Sequence, residues 1–402
     1  MRVLIFTGYY PPPFNANAVR AMYIVKAFRE LGHEVAVVPL LGTSNDEGFY
    51  GESIVMFKEV KGQVSEEGFY RRPSLIFRVS DILRKHRRVG KILSITREFD
   101  PDIVVGTLPP VEALPLAHIS AQAIGACLIA DVQDLADDYR MLERPWLTPL
   151  IKLYFRRVYM ALREAKLVIA TTEFMQKTLI SRIGHDRIAT VANGVDNKFY
   201  STCFEIRKRC REDLAVFLGD LNFKYHKLEV FIHALKMVRD RDAKLRLRVI
   251  GEGVLLPRLK SLAKSQGLEN DIEFLGYVRR AELPQKLGCG LFGIVGRPDV
   301  NNPWIVNTMR MTTLEYLSCG LPILAYGPLN SYTQHFIEKY GVGVYIPSND
   351  PRQVAKGITQ ILSLTHNVPD IPDKCRDVAL RYDWNTVSKA FVQLVTRSCC
   401  AR

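Results

Sequence analysis

The sequence contains no apolar run long enough to cross a membrane as a helix, which requires about 20 consecutive apolar residues. Its most apolar stretch, residues 103–130, is interrupted by three prolines and by Glu112. Residues 1–7 hold too short an apolar segment for a secretory signal and lead directly into a run of three prolines. We therefore expect a chain that does not cross a membrane by itself.

The eight cysteines lack a recognisable pattern, because no CxxC pair and no Cys/His spacing typical of a metal site occurs. This absence favours a reduced, cytosolic chain without a bound metal ion. For Cys399 and Cys400, near the end of the sequence, we expect a frayed terminus without a role rather than exposed reactive thiols. The other cysteines are scattered along the chain: Cys127, Cys203, Cys210, Cys289, Cys319 and Cys375.

No short-period repeat or low-complexity tract is present. Apolar residues make up 48% of the chain and charged residues 24%, which excludes long disorder, collagen and a coiled coil as the main architecture. A length of 402 residues exceeds the usual size of one domain, about 150 residues, so we expect two domains.

Acidic residues are scarcer than basic ones, with 42 Asp and Glu against 55 Lys and Arg, and the net charge is +13. This excess predicts an anionic ligand or surface as a partner. Nucleic acid, an acidic membrane face and a phosphorylated small molecule are all compatible with it.

Apolar runs alternate with helical patterns along both halves of the chain. Residues 2–6 and 35–40 read as buried strands around a helical stretch at 17–31, which is typical of a βαβ unit in a parallel sheet. A second series of the same kind starts at residues 214–218. We therefore predict an α/β protein with two doubly wound domains, residues 1–200 and 201–380, separated near the turn at residues 193–196 and a basic linker.

Gly251 and Gly253 directly follow a predicted strand, where a backbone without side chains can approach a phosphate. A plain strand-to-helix turn is an equally good interpretation. The third glycine of a dinucleotide-binding fingerprint is missing, which argues against an NAD-type cofactor.

Glu315 lies in a helical stretch that closes in Gly-Leu-Pro before an apolar strand. A carboxylate at the carboxyl end of a doubly wound sheet is suited to hold the hydroxyls of a ribose. Without further information, a solvated helix glutamate is the simpler interpretation.

The order and spacing of six short segments resemble those of the GT-B retaining glycosyltransferases of family 4, the group 1 glycosyltransferases. The resemblance implies a GT-B fold, in which two Rossmann-like doubly wound domains face a cleft. It implies a nucleotide-sugar donor held mainly by the second domain, an acceptor held by the first, and residues 381–402 returning as a helix to the first domain. The segments are residues 10–12, 31–35, 193–199, 249–253, 274–276 and 315–322.

The resemblance also suggests which residues bind the donor. Glu315 matches the family's second conserved glutamate, which holds the ribose, whereas Asn307 stands in the place of the first. Asn15 and Ala16 stand where many relatives have two glycines, and Asp220 replaces a usual arginine. The predicted donor-binding residues are Asn15, Ala16, Gly251, Gly253, Asn307, Thr313, Leu314 and Glu315.

For catalysis, the resemblance points to Lys224 and Lys227 as the family's basic pair, and we add Arg310, one turn before Glu315. Cations are needed because negative charge grows on the leaving diphosphate, and lysine and arginine supply it without a metal. Arg297 is a weaker candidate, and Asp134 is left as the acidic candidate because Gln133 occupies the place of a frequently catalytic histidine. No second carboxylate is placed as a nucleophile, so we expect front-face attack.

The segment from Arg71 to Lys91 combines eight cations with one acidic residue, Asp81, and its apolar residues recur at intervals of three and four. This pattern predicts a helix that lies on an anionic bilayer, or a helix docked on the first sheet with a solvated basic back. We expect the cations of the linker to be solvated: Arg207, Lys208, Arg209 and Arg211.

Taken together, these features predict a glycosyltransferase of the hexosyltransferase type that moves a sugar from a UDP-sugar to a glycan or polyprenyl-linked acceptor at the cytoplasmic membrane face. A nucleotide-sugar epimerase on the same scaffold is the alternative enzyme. Non-catalytic binding of an anionic ligand such as nucleic acid, driven by the net charge, is a further alternative. Nucleic acid is not the expected partner, because the aromatic residues are not interleaved with the cations in a recognisable binding module.

Overall fold

The computed structural model describes residues 1–10, 16–40, 79–240 and 244–400, without the side chains of residues 16 and 79–88. The predicted donor residue Asn15 and residues 71–78 of the basic segment therefore lie outside the described residues, as do the side chains of Ala16 and of residues 79–88. The chain divides into two compact units. Unit 1 contains residues 1–192 and 385–402, and unit 2 contains residues 193–384.

Unit 1 alternates strands and helices along its whole length, with short connections over most of its described part. Its elements before the C-terminal helix are β1 (Arg2–Thr7), α1 (Ala16–Glu30), β2 (Glu34–Pro39), α2 (Val79–Phe99), β3 (Ile103–Leu108), α3 (Ala113–Ile124), β4 (Cys127–Val132), α4 (Ala136–Glu143), α5 (Thr148–Glu164), β5 (Leu167–Ala170), α6 (Glu173–Ile183) and β6 (Ile188–Thr190).

The six strands of unit 1 form one parallel sheet in the order β2-β1-β3-β4-β5-β6. Ile5 of β1 pairs with Val37 on one side and Val105 on the other. The central strands are buried along almost their whole length, which explains why they are continuous apolar runs rather than alternating ones. The direction of strand addition reverses between β1 and β3, so the sheet is doubly wound.

Unit 2 repeats this plan. Its elements are α7 (Ser201–Arg209), β7 (Leu214–Leu218), α8 (Leu228–Arg239), β8 (Arg246–Ile250), α9 (Leu256–Ser265), β9 (Ile272–Gly276), α10 (Leu283–Gly288), β10 (Phe292–Gly296), α11 (Pro303–Val306), α12 (Met311–Ser318), β11 (Ile323–Tyr326), α13 (Tyr332–Tyr340), β12 (Gly343–Ile346), α14 (Pro351–Asn367) and α15 (Ile371–Arg381).

The strands of unit 2 also form a six-stranded parallel sheet, in the order β12-β11-β10-β7-β8-β9. The strand order reverses between β7 and β10, whose carboxyl ends therefore border the crevice where ligands bind in open α/β sheets. Large apolar side chains such as Phe231 and Phe292, both fully buried, fill the core between the sheet and its helices. The predicted α/β class with two doubly wound sheets is confirmed.

The last helix, α16 (Trp384–Cys400), belongs to unit 1 although it follows unit 2 in sequence. The ring of Phe391 packs edge-on against that of Phe28 at 6.4 Å between centroids. Just before α16 the chain runs beside the start of unit 2, where Val195 exchanges backbone hydrogen bonds of 2.8 and 3.1 Å with Tyr382 and Trp384.

The expectation that the cations of the basic linker are solvated is wrong for Arg207, although Lys208, Arg209 and Arg211 are exposed. The expectation of a reduced chain is also wrong. Residues 201–209 form the helix α7 of unit 2, and Arg207 is buried there, donating hydrogen bonds to the carbonyl oxygens of Gly290 and Leu291 rather than to solvent. Six cysteines form three disulfides because folding brings together residues that are 79 or more apart in sequence, a distance at which spacing carries no signal. The pairs are Cys127–Cys399, Cys203–Cys319 and Cys210–Cys289.

Cys399 is therefore tied to the start of β4, and the expectation of a frayed terminus without a role is wrong for this residue. Cys375 is buried as a free thiol, and Cys400 is free and exposed. None of the helices in the described part of the chain is long and apolar enough to pass through a bilayer.

Candidate functional site

The loop after β7 forms the base of the candidate site in unit 2. Its backbone is bonded to the loop after β8, since Gly219 N donates to Ile250 O at 3.0 Å and Leu221 N donates to Glu252 O at 2.9 Å. Asp220, the residue that departs from the family pattern, accepts two hydrogen bonds of 2.8 Å from Asn222. These bonds fix the loop at the carboxyl edge of the sheet, beside the reversal point of the strand order.

Gly251 and Gly253 are required by this close approach of two loops. A β-carbon on Gly251 would collide with the carbonyl oxygen of Gly219, and one on Gly253 would collide with the backbone of Leu221 and Asn222. Their φ angles of +147° and +149° also favour glycine. The two glycines therefore lie at the predicted edge, and the packing of the loops already accounts for them without a ligand.

The basic pair lies on the short turn that follows. Lys224 is exposed in the 3₁₀ turn Lys224–His226, and Lys227 follows in a left-handed conformation with φ of +49° at the start of α8. The carbonyl oxygen of Lys227 accepts a 2.9 Å hydrogen bond from the hydroxyl of Tyr326, which anchors the turn to β11. The ammonium group of Lys227 lies 3.7 Å from a carboxylate oxygen of Glu229, a partly exposed ion pair that leaves it accessible.

Two arginines add positive charge on the neighbouring side of the reversal point. Arg297, directly after β10, is buried and donates to the Thr308 hydroxyl at 2.5 Å, with its guanidinium 5.1 Å from the ring centre of Trp304. Burial and the charge of Arg297 lower the pKa of Arg310 to about 9, although Asp220 acts in the opposite direction. The fold therefore holds two mutually repelling cations together, which an anionic ligand would stabilise.

His226 lies beneath these cations and was not identified from the sequence. Its ring is buried and packs edge-on against Phe217 at 5.2 Å, and it also fills the space that a β-carbon on Gly219 would need. Burial and the positive charge of Arg310 lower the pKa of His226 well below its usual range, although the backbone of Asp220 opposes this shift. The imidazole is therefore neutral at pH 7 and supports the loop without adding charge.

Glu315 is positioned by its neighbour in α12. The hydroxyl of Tyr316 accepts a 2.6 Å hydrogen bond from the backbone N–H of Leu218, and its ring lies over Gly293, where any side chain would collide with it. This packing directs α12 to the ends of β7 and β10 and leaves Glu315 only partly exposed at the same edge. Burial raises the pKa of Glu315, and Tyr200, Arg280 and Arg310 oppose that shift.

Tyr200 and Arg280 are the residues around Glu315 that sequence reasoning missed. Tyr200 is almost fully buried, and burial together with the charge of Glu315 raises the pKa of its hydroxyl well above the usual value. Arg280 lies in the turn that follows β9, and its guanidinium is 4.5 Å from the ring centre of Phe199. Arg280 carried a usable signal, because it follows a predicted strand end at the same edge of the sheet.

The remaining predicted donor residues do not all present their side chains. Asn307 ends α11 and is buried, and its backbone N–H donates to Pro303 O at 3.0 Å. Thr313 and Leu314 are buried in α12, so the Leu314 side chain belongs to the core of unit 2 and not to an open edge.

In unit 1 the candidate Asp134 follows β4, and the buried ion pair of that strand is formed by another aspartate. Asp134 follows β4, is partly exposed, and its N–H donates to Leu108 O at 3.3 Å. Asp131, within β4, is instead fully buried and paired with Arg20 at 2.8 Å, and Gln133 donates to the same carboxylate at 3.0 Å. Gln133 thus fills the place of the family's histidine with a hydrogen bond to a buried carboxylate.

The geometry of unit 2 suits a ligand that carries a diphosphate next to a sugar ring. Lys224 and Lys227 follow β7, Arg297 follows the adjacent strand β10, and Arg310 lies close enough to Arg297 for that charge to lower its pKa. Lysine and arginine side chains donate charge-assisted hydrogen bonds to phosphate oxygens. Glu315, close enough to Arg310 to affect its pKa, offers a carboxylate that accepts hydrogen bonds from hydroxyls.

Solved structures of similar fold cover nearly the whole chain. HepE from Anabaena, in complex with UDP, has a TM-score of 0.69 and 16% identity over 98% of this chain and 99% of that one. Sucrose-phosphate synthase from Thermosynechococcus elongatus has a TM-score of 0.71 and 13% identity over 100% of this chain and 99% of that one. WaaG, a glycosyltransferase involved in lipopolysaccharide biosynthesis, has a TM-score of 0.69 and 13% identity over 98% of this chain and 100% of that one. These similarities confirm the predicted GT-B fold.

No curated protein is significantly similar to this chain in sequence. Two family models do match it, Glycosyltransferase Family 4 over residues 18–199 and Glycosyl transferases group 1 over residues 212–364. Their matches follow one another along the chain, take in most of it, and include five of the six strands of the first sheet and all six of the second. The chain therefore belongs to the group 1, family 4 glycosyltransferases.

Proposed function

We propose that the protein transfers a sugar from a UDP-sugar to a glycan or lipid-linked acceptor, with retention of the anomeric configuration. The observation that carries the proposal is the placement of four cations and one carboxylate at the reversal point of the second sheet. HepE, which is similar in fold, has been crystallised with UDP and with UDP and glucose. We propose UDP for this chain because of this likeness in fold and because of its own cations Lys224, Lys227, Arg297 and Arg310, which we call the basic edge of the second sheet.

In this proposal the diphosphate lies on the basic edge, where Lys227 and Arg310 contact its oxygens and Lys224 approaches from solvent. Burial and, after it, the charge of Arg297 lower the pKa of Arg310, and a bound anion offsets both effects because the cations are already held in place. The same cations stabilise the negative charge that grows on the β-phosphate as the bond to the sugar breaks.

The carboxylate of Glu315 accepts hydrogen bonds from the two ribose hydroxyls. Tyr316 positions it through the hydrogen bond to Leu218, and Arg280 and Arg310 favour its ionised form. Asn307, in the place of the family's first glutamate, offers an amide to the donor sugar. An amide donates and accepts hydrogen bonds but carries no charge, so this contact to the sugar is neutral.

Retention follows from attack on the same face as the leaving group. The acceptor hydroxyl oxygen forms the new bond to the anomeric carbon as the bond from that carbon to the β-phosphate oxygen breaks. The hydroxyl proton passes to a phosphate oxygen of the departing UDP, so the protein needs no separate base for this step. Asp134 of unit 1 is proposed to orient the acceptor, and lysine and arginine provide the charge compensation.

We further propose that the acceptor is presented at a membrane face, with the basic segment of residues 71–91 in contact with anionic lipid. Support comes from its excess of cations, each worth about 1 kcal/mol near such a surface. The backbone of its residues 79–91 forms the first part of α2, and its side chains are described only for residues 89–91.

A thermal-shift series with nucleoside diphosphates and their sugars tests the donor assignment. A ligand at 100 times its Kd stabilises the folded state by about 2.7 kcal/mol, which raises Tm by several degrees. We expect UDP to give this shift, Glu315→Ala to abolish it, and Glu338→Ala, at an exposed position on α13, to leave it unchanged. A full shift in the Glu315→Ala variant would remove the ribose assignment.

Product analysis tests the reaction. We expect the donor to be consumed only when an acceptor is present, and the NMR coupling of the new anomeric proton to match that of the donor. Conversion of the donor alone into a second nucleotide sugar would identify an epimerase instead.

A further inference from the structure

Two half-buried cysteines and a glutamate meet at the amino-terminal edge of the second sheet. Cys210 follows α7, Glu212 precedes β7, and Cys289 lies between α10 and β10. The two cysteines form a disulfide, and the Oε1 atom of Glu212 lies 3.9 Å from the Cys210 sulfur. Both sulfurs and a carboxylate oxygen lie within 4.8 Å of one another. Since β7 and β10 are neighbours in the sheet, the fold itself brings the three groups together.

The backbone holds these groups in place independently of the disulfide. The N–H of Glu212 donates to the carbonyl oxygen of Cys289 at 3.0 Å, and that of Cys210 donates to Ile206 O at 2.8 Å. A β-carbon on Gly288 would collide with the side chain of Ile206, so α10 and α7 are in close contact. These contacts do not involve the sulfur–sulfur bond, and the two thiols of a reduced chain therefore stay beside the carboxylate.

The carboxylate of Glu212 is oriented by a cation. Its second oxygen, Oε2, forms an ion pair of 2.5 Å with the guanidinium of Arg246, which leaves Oε1 on the side of the sulfurs. Carboxylates that bind metal ions are commonly held in this way by an outer hydrogen-bond partner. Thiolate sulfur and carboxylate oxygen are both ligands that Zn²⁺ takes in proteins.

The surrounding charges suit a metal complex that is itself negative. Two thiolates and one carboxylate bring three negative charges to a Zn²⁺ ion, so one of them remains uncompensated by the metal. Arg246 contacts the carboxylate, and Arg209 and Arg211 adjoin the first cysteine in sequence. Cations beside a cysteine favour the thiolate, which is the form that binds metal. Asp213, the next residue after the glutamate, is exposed and adds one negative charge.

We propose that Cys210, Cys289 and Glu212 form a Zn²⁺ site when the Cys210–Cys289 disulfide is reduced. A dithiol reductant transfers two electrons and two protons to the disulfide and is itself oxidised to a cyclic disulfide. Zn²⁺ then displaces the two thiol protons, both sulfurs and Oε1 bind the ion, and water completes the tetrahedron. Zinc bonds of about 2.3 Å to sulfur and about 2.0 Å to oxygen place two such ligands about 3.5 Å apart, close to the 3.9 Å between Oε1 and the Cys210 sulfur.

The proposal gives the chain two alternative links between the same loops. The oxidised chain joins the segment before β7 to the segment before β10 by a disulfide, and the reduced chain joins them through Zn²⁺. Among the residues that the structure describes, no other three His, Cys, Asp or Glu side chains bring their ligand atoms as close together. The cluster lies at the opposite edge of the sheet from the basic edge, so the inference does not depend on the proposed donor.

Titration of the full-length protein with Zn²⁺ and Co²⁺ provides the test. The protein is reduced with a phosphine, which replaces the dithiol and competes weakly for zinc, and is freed of metal with a chelator. We expect the reduced chain to take one Zn²⁺ from a chromophoric indicator. Co²⁺ should give the intense visible bands of a tetrahedral ion and a sulfur-to-metal charge-transfer band in the near ultraviolet. The oxidised chain should show neither, and Zn²⁺ at about 100 times its Kd should raise the Tm of the reduced chain by several degrees.

The cysteine ligands are tested by comparing two pairs. Cys210→Ser/Cys289→Ser should abolish both the Zn²⁺ uptake and the charge-transfer band. Cys127→Ser/Cys399→Ser is the matched control, because it removes another half-buried disulfide, in unit 1. That variant should bind Zn²⁺ like the unsubstituted protein.

The carboxylate ligand is tested without touching a disulfide. Loss of an outer partner of a metal ligand already lowers metal affinity about 10- to 100-fold, so Glu212→Gln, which replaces a ligand, should weaken Zn²⁺ binding by at least about 10-fold. Asp213→Asn removes the neighbouring carboxylate and should leave the affinity unchanged. Circular dichroism of each reduced variant checks folding, and if Cys210→Ser/Cys289→Ser fails to fold, the comparison of Glu212→Gln with Asp213→Asn decides.

Three results would overturn the proposal. The first is a reduced chain that takes no Zn²⁺ from the indicator. The second is uptake that persists in a folded Cys210→Ser/Cys289→Ser variant, which would place the metal elsewhere. The third is equal affinity in Glu212→Gln and the unsubstituted protein, which would exclude the carboxylate as a ligand.

Discussion

The two units place an arginine near the carboxyl edge of their sheets in opposite electrostatic settings. In unit 1, Arg20 is 1% exposed and forms a bidentate ion pair with the fully buried Asp131. Its guanidinium also donates hydrogen bonds to the carbonyl oxygens of Val191 and Ala192. Every charge in this cluster is matched. Its role is to join α1, β4 and the chain after β6.

In unit 2, Arg310 faces a second cation, Arg297, and no carboxylate within ion-pair distance in the described part of the chain. Burial and the charge of Arg297 lower its pKa to about 9, which means that keeping Arg310 charged costs free energy in the folded state. The contrast separates two uses of buried charge. A matched pair stabilises the protein, whereas a buried cation beside a second cation is, under the proposed function, a group that an anionic ligand stabilises.

The largest effect should come from breaking the matched pair. Arg20→Met leaves Asp131 buried without its partner and should lower the free energy of unfolding by about 3–5 kcal/mol. Arg29→Met, at an exposed position near the end of the same helix, should change it by less than about 0.5 kcal/mol. Chemical denaturation measures both. Equal, small losses in the two variants would show that the buried pair is not structural.

Arg310→Gln should produce the reverse pattern. Removal of one of two repelling cations should leave the unfolding free energy unchanged or higher, while kcat/KM falls about 100- to 1000-fold, equivalent to about 2.7–4 kcal/mol. Arg258→Gln, on the exposed side of α9, is the charge-matched control and should keep full activity. If Arg310→Gln lost stability as Arg20→Met does, the proposed distinction between the two arginines would fail.

Sequence patterns predicted most strands because parallel strands covered on both faces must be apolar throughout. The run at residues 214–218 coincides with β7, and the run at 167–170 coincides with β5. The strand β6 was missed because its three residues form too short a run. Helix α7 was read as a linker because its surface is polar and the contacts that stabilise it, including the Cys203–Cys319 disulfide, come from distant residues.

The candidate site was predictable where residues follow strand ends and unpredictable where they meet across the fold. Lys224, Lys227 and Arg297 follow strands of the second sheet, so topology alone brings them to one edge. Tyr200 reaches Glu315 only through tertiary packing, and sequence separation gives no sign of it. The same holds for His226, whose buried position beneath Arg310 depends on the shape of the turn.

The smallest expected effect concerns the carboxylate of unit 2. Because burial raises the pKa of Glu315, the folded chain holds this proton more strongly than the unfolded chain does, and the free energy of unfolding falls as pH rises through that pKa. Without ligand at neutral pH, Glu315→Gln should therefore raise Tm slightly, by at most about 2 °C. The difference should vanish at a pH below the ordinary carboxyl pKa, where both states are protonated.

Thermal unfolding across an acid-to-neutral pH series measures this difference, and UDP provides the decisive comparison. With saturating UDP the Tm of Glu315→Gln should fall below that of the unsubstituted protein, because the ionised carboxylate accepts ribose hydrogen bonds that the amide replaces only in part. A lower Tm of Glu315→Gln without ligand at pH 7 would place Glu315 with Asp131, as a carboxylate that the fold needs. The predicted reversal of the two Tm values would instead show that Glu315 resembles Arg310, because its charge lowers the stability of the free protein and is stabilised by the bound ligand.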